Sequence, residues 1–288
     1  KILRKILFPI SFLYGQVMRF RNKSYDKGIL TSTVFAIPII SVGNLNTGGT
    51  GKTPHVEYLI NLLKDSFKVA VLSRGYKRKS KGFVLANEHT SANFIGDEPM
   101  QYHLKFKSVN VAVDNDRAHG INQLKKLKVK PDVVLLDDAY QHRKVKAKIN
   151  ILLTSYNDLY VDDYMLPTGN LRELASNAKR ATHIIVTKCP KDLSEEAQQE
   201  IRLKLNPNPH QKLYFSTIVY RDEVMNNTEK ITLKDLQNYK VVLVTGIANP
   251  KPLQTFLTEN NIDFTGLKYK DHHDFTEKDK VIINKKLQ

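Results

Sequence analysis

The sequence predicts an α/β fold of the P-loop NTPase-like type: a mainly parallel sheet with helices on both faces, a smaller C-terminal α/β domain, and an N-terminal membrane-associating helix. Three observations predict the main domain. The apolar run from Phe35 to Val42 leads through a glycine-rich loop into a helical pattern with Val56, Leu59, Ile60 and Leu63 on one face. Short apolar strands then alternate with helical segments. One of those strands, Pro131 to Asp138, ends in two carboxylates.

The first 25 residues form their own segment. Ile6 to Met18 carries no charge, and Arg4, Lys5, Arg19, Arg21 and Lys23 flank it. Its thirteen residues are too few for a helix that crosses a bilayer, which needs roughly 20. No small-residue cleavage site follows, so a secretory signal is not expected. A helix packed on the core and a helix lying in a lipid interface both fit the pattern.

The loop after the first strand is the strongest chemical signal. Gly48, Gly49 and Gly51 let backbone N–H groups close on an anion, and the following helix adds the positive end of its dipole. Lys52 reaches the β- and γ-phosphates in such a loop, the Thr53 hydroxyl serves Mg²⁺, and Pro54 suits a first helical turn. Asn46 stands where the usual pattern has its first glycine. The candidate ATP-binding set is therefore Asn46, Thr47, Gly48, Gly49, Thr50, Gly51, Lys52 and Thr53.

Downstream, Lys68–Ser73 reads as a strand that ends in Arg74-Gly75-Tyr76 and a basic loop. Gly96-Asp97-Glu98-Pro99 reads as a turn or helix start, with Met100 and Leu104 on the helix that follows; a helix cap is the plain explanation of Asp97. Val109–Val113, Asn150–Thr154 and His183–Thr187 are further strands. A polar helix from Ser194 to Leu205 runs into Asn206-Pro-Asn-Pro209, which reads as a domain boundary. The expected division is 1–25, 26–208 and 209–288. Lys240–Gly246 begins a second β-loop-α unit, with Leu253, Phe256 and Leu257 on its helix.

Of the 288 residues 41% are hydrophobic, enough for a substantial core, and 45 Lys+Arg against 29 Asp+Glu give a net charge of +16. Such a surface attracts anionic lipid, phosphorylated substrate or nucleic acid. Nucleic acid has no support beyond charge, because neither zinc-ligand spacing nor an aromatic RNA-binding motif is present. Cys189 is the sole cysteine, which excludes an intrachain disulfide and suits a reducing compartment.

Asp137 and Asp138 fall where a strand beside a P-loop presents a carboxylate to Mg²⁺. Gln141 and His142 follow as possible metal or phosphate contacts, although His142 alone reads equally as a hydrogen-bonded structural histidine. Arg74, Arg117 and Arg172 are candidates for neutralising phosphate. In Asp271-His272-His273-Asp274 the functional reading is a carboxylate-oriented imidazole, and the plain one is a surface His pair.

Taken in order, the motifs are Gly43–Pro54, Ser73–Tyr76, Gly96–Pro99, Asp137–Arg143, Leu166–Glu173, Gly246–Pro250 and Asp271–Phe275. The set resembles the tetraacyldisaccharide 4'-kinase family of lipid A biosynthesis across nearly the whole chain. The resemblance implies ATP- and Mg²⁺-dependent phosphorylation of the 4'-hydroxyl of a tetraacyl disaccharide 1-phosphate. It implies peripheral attachment, through the N-terminal helix, to the cytoplasmic face of the inner membrane. By motif position it casts Asp97 as catalytic base with His272 as its partner. It gives the phosphates to Lys52 and Thr53, the Mg²⁺ and phosphate region to Asp137, Asp138 and Gln141, and substrate or transition-state charge to Arg117 and Arg172.

The lipid disaccharide and the inner-membrane surface are then the expected partners, with no nucleic acid and no inferable protein partner. Ala139-Tyr140 and Asn170 depart from the commoner family residues, which alters shape near the site and leaves its charges intact. Lys1 in place of Met, and an end soon after Val281–Asn284, suggest trimming, and the second domain is expected to be truncated beyond its Asp-His-His motif. The alternative is a membrane-associated switch ATPase of the partition type, whose extra lysine is replaced here by Thr47.

Overall fold

A computed structural model describes residues 4, 6–226, 229–247, 249–271 and 273–287. Two compact units result, Lys1–Ile218 and Val219–Gln288. In the first, eight strands form one sheet: β1 (Ile39–Asn44), β2 (Val69–Ser73), β3 (Val84–Leu85), β4 (Asn110–Val113), β5 (Val133–Asp137), β6 (Ile149–Ser155), β7 (His183–Thr187) and β8 (Lys212–Phe215). Their spatial order is β3-β4-β2-β5-β1-β6-β7-β8, and every pairing but the antiparallel β3–β4 edge is parallel.

The central strands β1, β2 and β5 are buried along their whole length, because a parallel sheet is covered on both faces. The period of two divides their side chains between two core layers. Ile40 and Val42 pack with Val56 and Ile60 of α2 (Lys52–Leu63). Ile39 and Leu72 pack with Ile121 and Leu124 of α5 (Arg117–Leu124). Between them lie α3 (Ala92–Ile95) and α4 (Asp97–Lys105), and α6 (Glu195–Leu205) follows β7.

The boundary expected at residue 208 falls ten residues late in the structure, after Ile218. Asn206 takes a left-handed conformation (φ 42°) that ends α6, and the Asn/Pro-rich stretch turns the chain back so that β8 adds to β7. What reads as a linker is a turn inside the sheet domain.

The N-terminal helix, α1 (Phe8–Asp26), packs with inverted polarity. It buries Ser11, Gly15, Asn22 and Ser24. Ile10, Phe12, Leu13, Val17 and Phe20 face outward, all more than half exposed. The inward face is fixed by hydrogen bonds. Ser11 Oγ donates to Thr168 Oγ1 at 2.7 Å, and the Tyr14 hydroxyl donates to the Arg172 carbonyl at 3.0 Å. Arg143 donates to the Asn22 carbonyl at 2.9 Å and meets Asp26 at 2.7 Å. Glu173, fully buried beneath the helix, is balanced by Arg180 at 2.6 Å, as a buried carboxylate requires. Among the described residues no helix is long and apolar enough to cross a membrane.

The second unit holds an antiparallel pair, β9 (Glu223–Met225) and β10 (Lys230–Thr232), a short α7 (Leu233–Leu236), and a parallel pair, β11 (Val241–Thr245) and β12 (Phe264–Lys268), joined through α8 (Lys251–Glu259). Leu233, Leu257 and Ile262 form its core. The last helix is α9 (Glu277–Leu287). Residues 276–279 are Thr-Glu-Lys-Asp, the segment that follows Asp-His-His in the family pattern, so that part of the second domain is present.

Candidate active site

The site is built at the carboxyl ends of the central strands. β1 delivers the chain into the glycine loop, and Gly51, in a left-handed conformation (φ 85°), opens α2. Several neighbours hold the loop. Thr47 N–H donates to the Asn170 carbonyl at 2.7 Å, and Thr187 Oγ1 donates to the Thr50 carbonyl at 2.9 Å. Lys188 Nζ donates to the Gly49 carbonyl, and His55 Nδ1 lies 2.8 Å from the Gly51 carbonyl. Asn46, in the place of the missing glycine, is buried with its amide 3.4 Å from Asp163. The departure from the pattern is thus absorbed on the side of the 163–170 turn.

Two adjacent carboxylates at the end of β5 are sorted into different environments. Asp138 takes a left-handed conformation (φ 46°). Arg172 grips it with both terminal nitrogens, at 2.8 and 3.1 Å, and Lys52 Nζ lies 3.7 Å away. Burial works against ionisation of Asp138, but the Arg172 hydrogen bonds and the Lys52 charge outweigh it and hold the carboxyl below its ordinary range. Asp137 points into the interior. Burial and the neighbouring Asp138 charge push it up to about 6, against the pull of Lys52. Its Oδ1 is buried without a hydrogen-bond partner.

Asn44 ties these parts together. Its side-chain oxygen accepts from Arg172 and lies 3.5 Å from Lys52 Nζ. Its main-chain carbonyl accepts from Gln141 Nε2 at 2.8 Å and from Arg172 at 3.2 Å.

Arg117 differs from its expected role. It is only 2% exposed and lies beneath the site. Its guanidinium donates to the carbonyls of Asp114 (2.8 Å) and Asp137 (3.3 Å), and burial lowers its pKa to about 10. It therefore braces the end of β5 rather than extending toward a ligand. His142 faces the same way: its Nε2 accepts the Arg117 backbone N–H at 3.2 Å, and burial, helped by the Arg117 charge, lowers its pKa to about 4. Arg74 is exposed at the end of β2, close enough for its charge to act on Arg117.

Asp97 is exposed at the first position of α4, after Gly96 (φ 97°), where the helix end favours an anion. His272 lies outside the described residues. Its neighbour His273 stacks on Tyr269, with ring centres 4.7 Å apart, and its Nε2 is 3.1 Å from Asp279.

The donors suit Mg²⁺. The Thr53 hydroxyl and the unpartnered Asp137 oxygen are hard oxygen ligands, and among the described residues no cluster of three His, Cys, Asp or Glu side chains forms a self-sufficient cage. Mg²⁺ favours such a site, since it keeps waters and takes phosphate oxygens. Of the other expected metal residues, Asp138 is engaged by Arg172, and the Gln141 amide by Asn44.

Asn44, Thr187, Lys188 and His55 escape notice as site residues in the sequence. The usable signal for two of them is that Thr187-Lys188 closes a buried strand, and ligands of open parallel sheets bind outside the carboxyl ends of the strands.

The family model described as tetraacyldisaccharide-1-P 4'-kinase matches residues 3–288. A tetraacyldisaccharide 4'-kinase of Flavobacterium johnsoniae is 55% identical over 285 residues, covering 99% of this chain and 83% of that protein. One of Bacteroides thetaiotaomicron is 47% identical, covering 96% and 76%. Among solved structures, the "apo" form of LpxK from Aquifex aeolicus in complex with ATP superposes with a TM-score of 0.78 at 34% identity, covering 95% of this chain and 85% of that one.

Proposed function

The chain belongs to the tetraacyldisaccharide-1-P 4'-kinase family, and we propose that it carries out that transfer at a membrane surface, with Asp97 as the base. It is an ATP-dependent kinase acting on the 4'-hydroxyl of the lipid A disaccharide. The observation that carries the surface reading is the bond from Tyr14 to the Arg172 carbonyl. The helix that turns its apolar side outward is joined to the residue that grips Asp138 beside Lys52. The cytoplasmic face of the inner membrane, where ATP is present and acyl chains remain in lipid, is the surface that fits.

In the step itself, Asp97 accepts the proton of the 4'-hydroxyl while that oxygen bonds to the γ-phosphorus and the bond to the departing ADP oxygen breaks. The motif resemblance alone proposes His272 as the residue that acts with Asp97. The loop amides of Gly48–Thr53 and Lys52 hold the phosphates, and Arg172 neutralises charge as it develops. Thr53 and Asp137 are assigned to Mg²⁺, which when bound neutralises phosphate charge. Arg74 lies at the rim as a contact for the disaccharide's own phosphate, whereas Arg117 and His142 support the floor.

The test is transfer of labelled γ-phosphate to tetraacyl disaccharide 1-phosphate in mixed micelles. Asp97→Ala is expected to remove most turnover and leave ATP binding intact. Equal loss of both would make Asp97 structural, and lipid-independent ATP hydrolysis without product would favour the switch ATPase.

A further inference from the structure

Tyr102 lies on α4, five positions after Asp97, and is 0% exposed. Its ring belongs to the core layer that holds Val42, Val56 and Ile60, so the side chain is fixed by packing. Its hydroxyl nevertheless makes no hydrogen bond of acceptable geometry. The Thr53 side chain is in hydrogen-bonding relation to it without the geometry of a full bond, and the charges of Asp137, Glu98 and Glu57 act on it. A buried hydroxyl held only by such an imperfect contact is costly, and where one persists it calls for a ligand or a function. Here a second such atom, Asp137 Oδ1, lies in the same region. Burial raises the Tyr102 pKa far above the ordinary phenol value, so the group remains an O–H donor.

We propose that Tyr102 is a positioning residue for the kinase: its phenol completes the polar shell that Thr53 and Asp137 offer to the Mg²⁺–nucleotide, and so locks α4, with Asp97 at its start, onto the loaded site. The proposal rests on the assignment of Thr53 and Asp137 to Mg²⁺. It makes α4 a reporter of nucleotide loading, because the residue that holds the helix against the metal side and the residue that meets the acceptor hydroxyl share nine residues of helix.

Tyr102→Phe keeps the ring in its core layer and removes only the hydroxyl. The apo protein is expected to melt at about the same temperature, since only the imperfect contact with Thr53 is lost. Mn²⁺ binding in the presence of a non-hydrolysable ATP analogue, followed by electron paramagnetic resonance, is expected to weaken roughly tenfold. The nucleotide-induced slowing of amide exchange over residues 97–105 is expected to be lost. Unchanged Mn²⁺ affinity and unchanged exchange in the Phe variant would overturn the proposal, and so would an apo protein destabilised by the substitution, which would mark the hydroxyl as structural. Asp137→Asn separates the two layers of the argument. Loss of Mn²⁺ binding there with none in Tyr102→Phe overturns this proposal alone, while full Mn²⁺ binding in Asp137→Asn overturns the metal assignment beneath it.

Discussion

Arg172 holds Asp138 through both ends of its guanidinium, 2.8 and 3.1 Å from the two carboxylate oxygens, while Lys52 waits 3.7 Å from one of them. The carboxylate therefore stands where two cations would otherwise repel each other beside the phosphate loop. Because Arg172 and Asp138 remain about a quarter and a third exposed, the pair contributes little to stability, about 1 kcal/mol or less. Its value is positional. Arg172→Ala is expected to lower kcat roughly 1000-fold, as loss of an arginine that meets transferring phosphate does, with little change in melting temperature. Arg172→Lys should recover little, because an ammonium cannot reproduce the fork. Steady-state kinetics and a thermal melt on both variants check this; a large drop in melting temperature would refute the positional reading.

A buried group and a half-buried one around β5 titrate with opposite sign. Asp137 is raised from 3.8 to about 6, chiefly by burial, so the native state holds the extra proton and stability falls as pH rises through that window. His142 is lowered from 6.5 to about 4, again chiefly by burial, so the unfolded state holds the extra proton and stability rises with pH over nearly the same range. The two slopes oppose each other in the wild type. His142→Gln, which still offers an acceptor to the Arg117 N–H, is expected to leave a stability that declines from pH 4 to 6. Asp137→Asn is expected to leave one that climbs. Urea midpoints at intervals across that range decide the matter, and parallel profiles for the two variants would be inconsistent with it.

Local signals reached the parts of this molecule whose cause is local. Gly48, Gly49 and Gly51 identify the phosphate loop because backbone contact with an anion demands small residues, and buried runs such as 133–137 identify parallel strands because both faces are covered. Arg117 could not be placed in this way. Its burial depends on the Asp137 carbonyl, twenty residues away on a neighbouring strand. Asn206–Pro209 misled because a turn and a linker use the same residues, and only the pairing of Lys212–Phe215 with β7 separates them. For the N-terminal helix the signal was present but carried by small residues: Ser11, Gly15 and Asn22 share the inward face, while the apolar majority faces out.

Gly43 shows how tightly β1 meets the turn after β5. A methyl group there would lie 2.7 Å from Tyr140 Cβ and 2.8 Å from its backbone nitrogen. Neither atom is the free end of a flexible chain, and Tyr140 is anchored by its hydroxyl to the Asn177 carbonyl at 2.8 Å. Gly43→Ala is expected to destabilise the protein by about 1–3 kcal/mol. At Gly49 an added methyl meets only the Lys188 ammonium, at 3.8 Å. Gly49→Ala should therefore fold normally and lose affinity for ATP instead. Urea unfolding and nucleotide titration of the pair test the contrast, which fails if Gly43→Ala is as stable as the wild type.

The outward face of α1 gives the prediction on which the membrane reading stands. Leu13, Val17 and Phe20 are 65%, 63% and 75% exposed, so the fold gains little from them. A lipid interface would gain about 1 kcal/mol or more from each, a fraction of the roughly 1.5–3 kcal/mol of full burial. Replacing all three with Ser is expected to leave the melting temperature unchanged and to reduce co-sedimentation with anionic vesicles by about 100-fold. The inward contacts of Ser11, Tyr14 and Asn22 survive in that variant, so turnover of a short-chain substrate dispersed in detergent should persist while turnover of substrate embedded in vesicles falls. Tyr14→Phe should do the reverse, keeping vesicle binding and slowing turnover in both settings, because it frees the Arg172 carbonyl and leaves the apolar face intact. Vesicle binding unaffected by the triple substitution would remove α1 as the membrane contact.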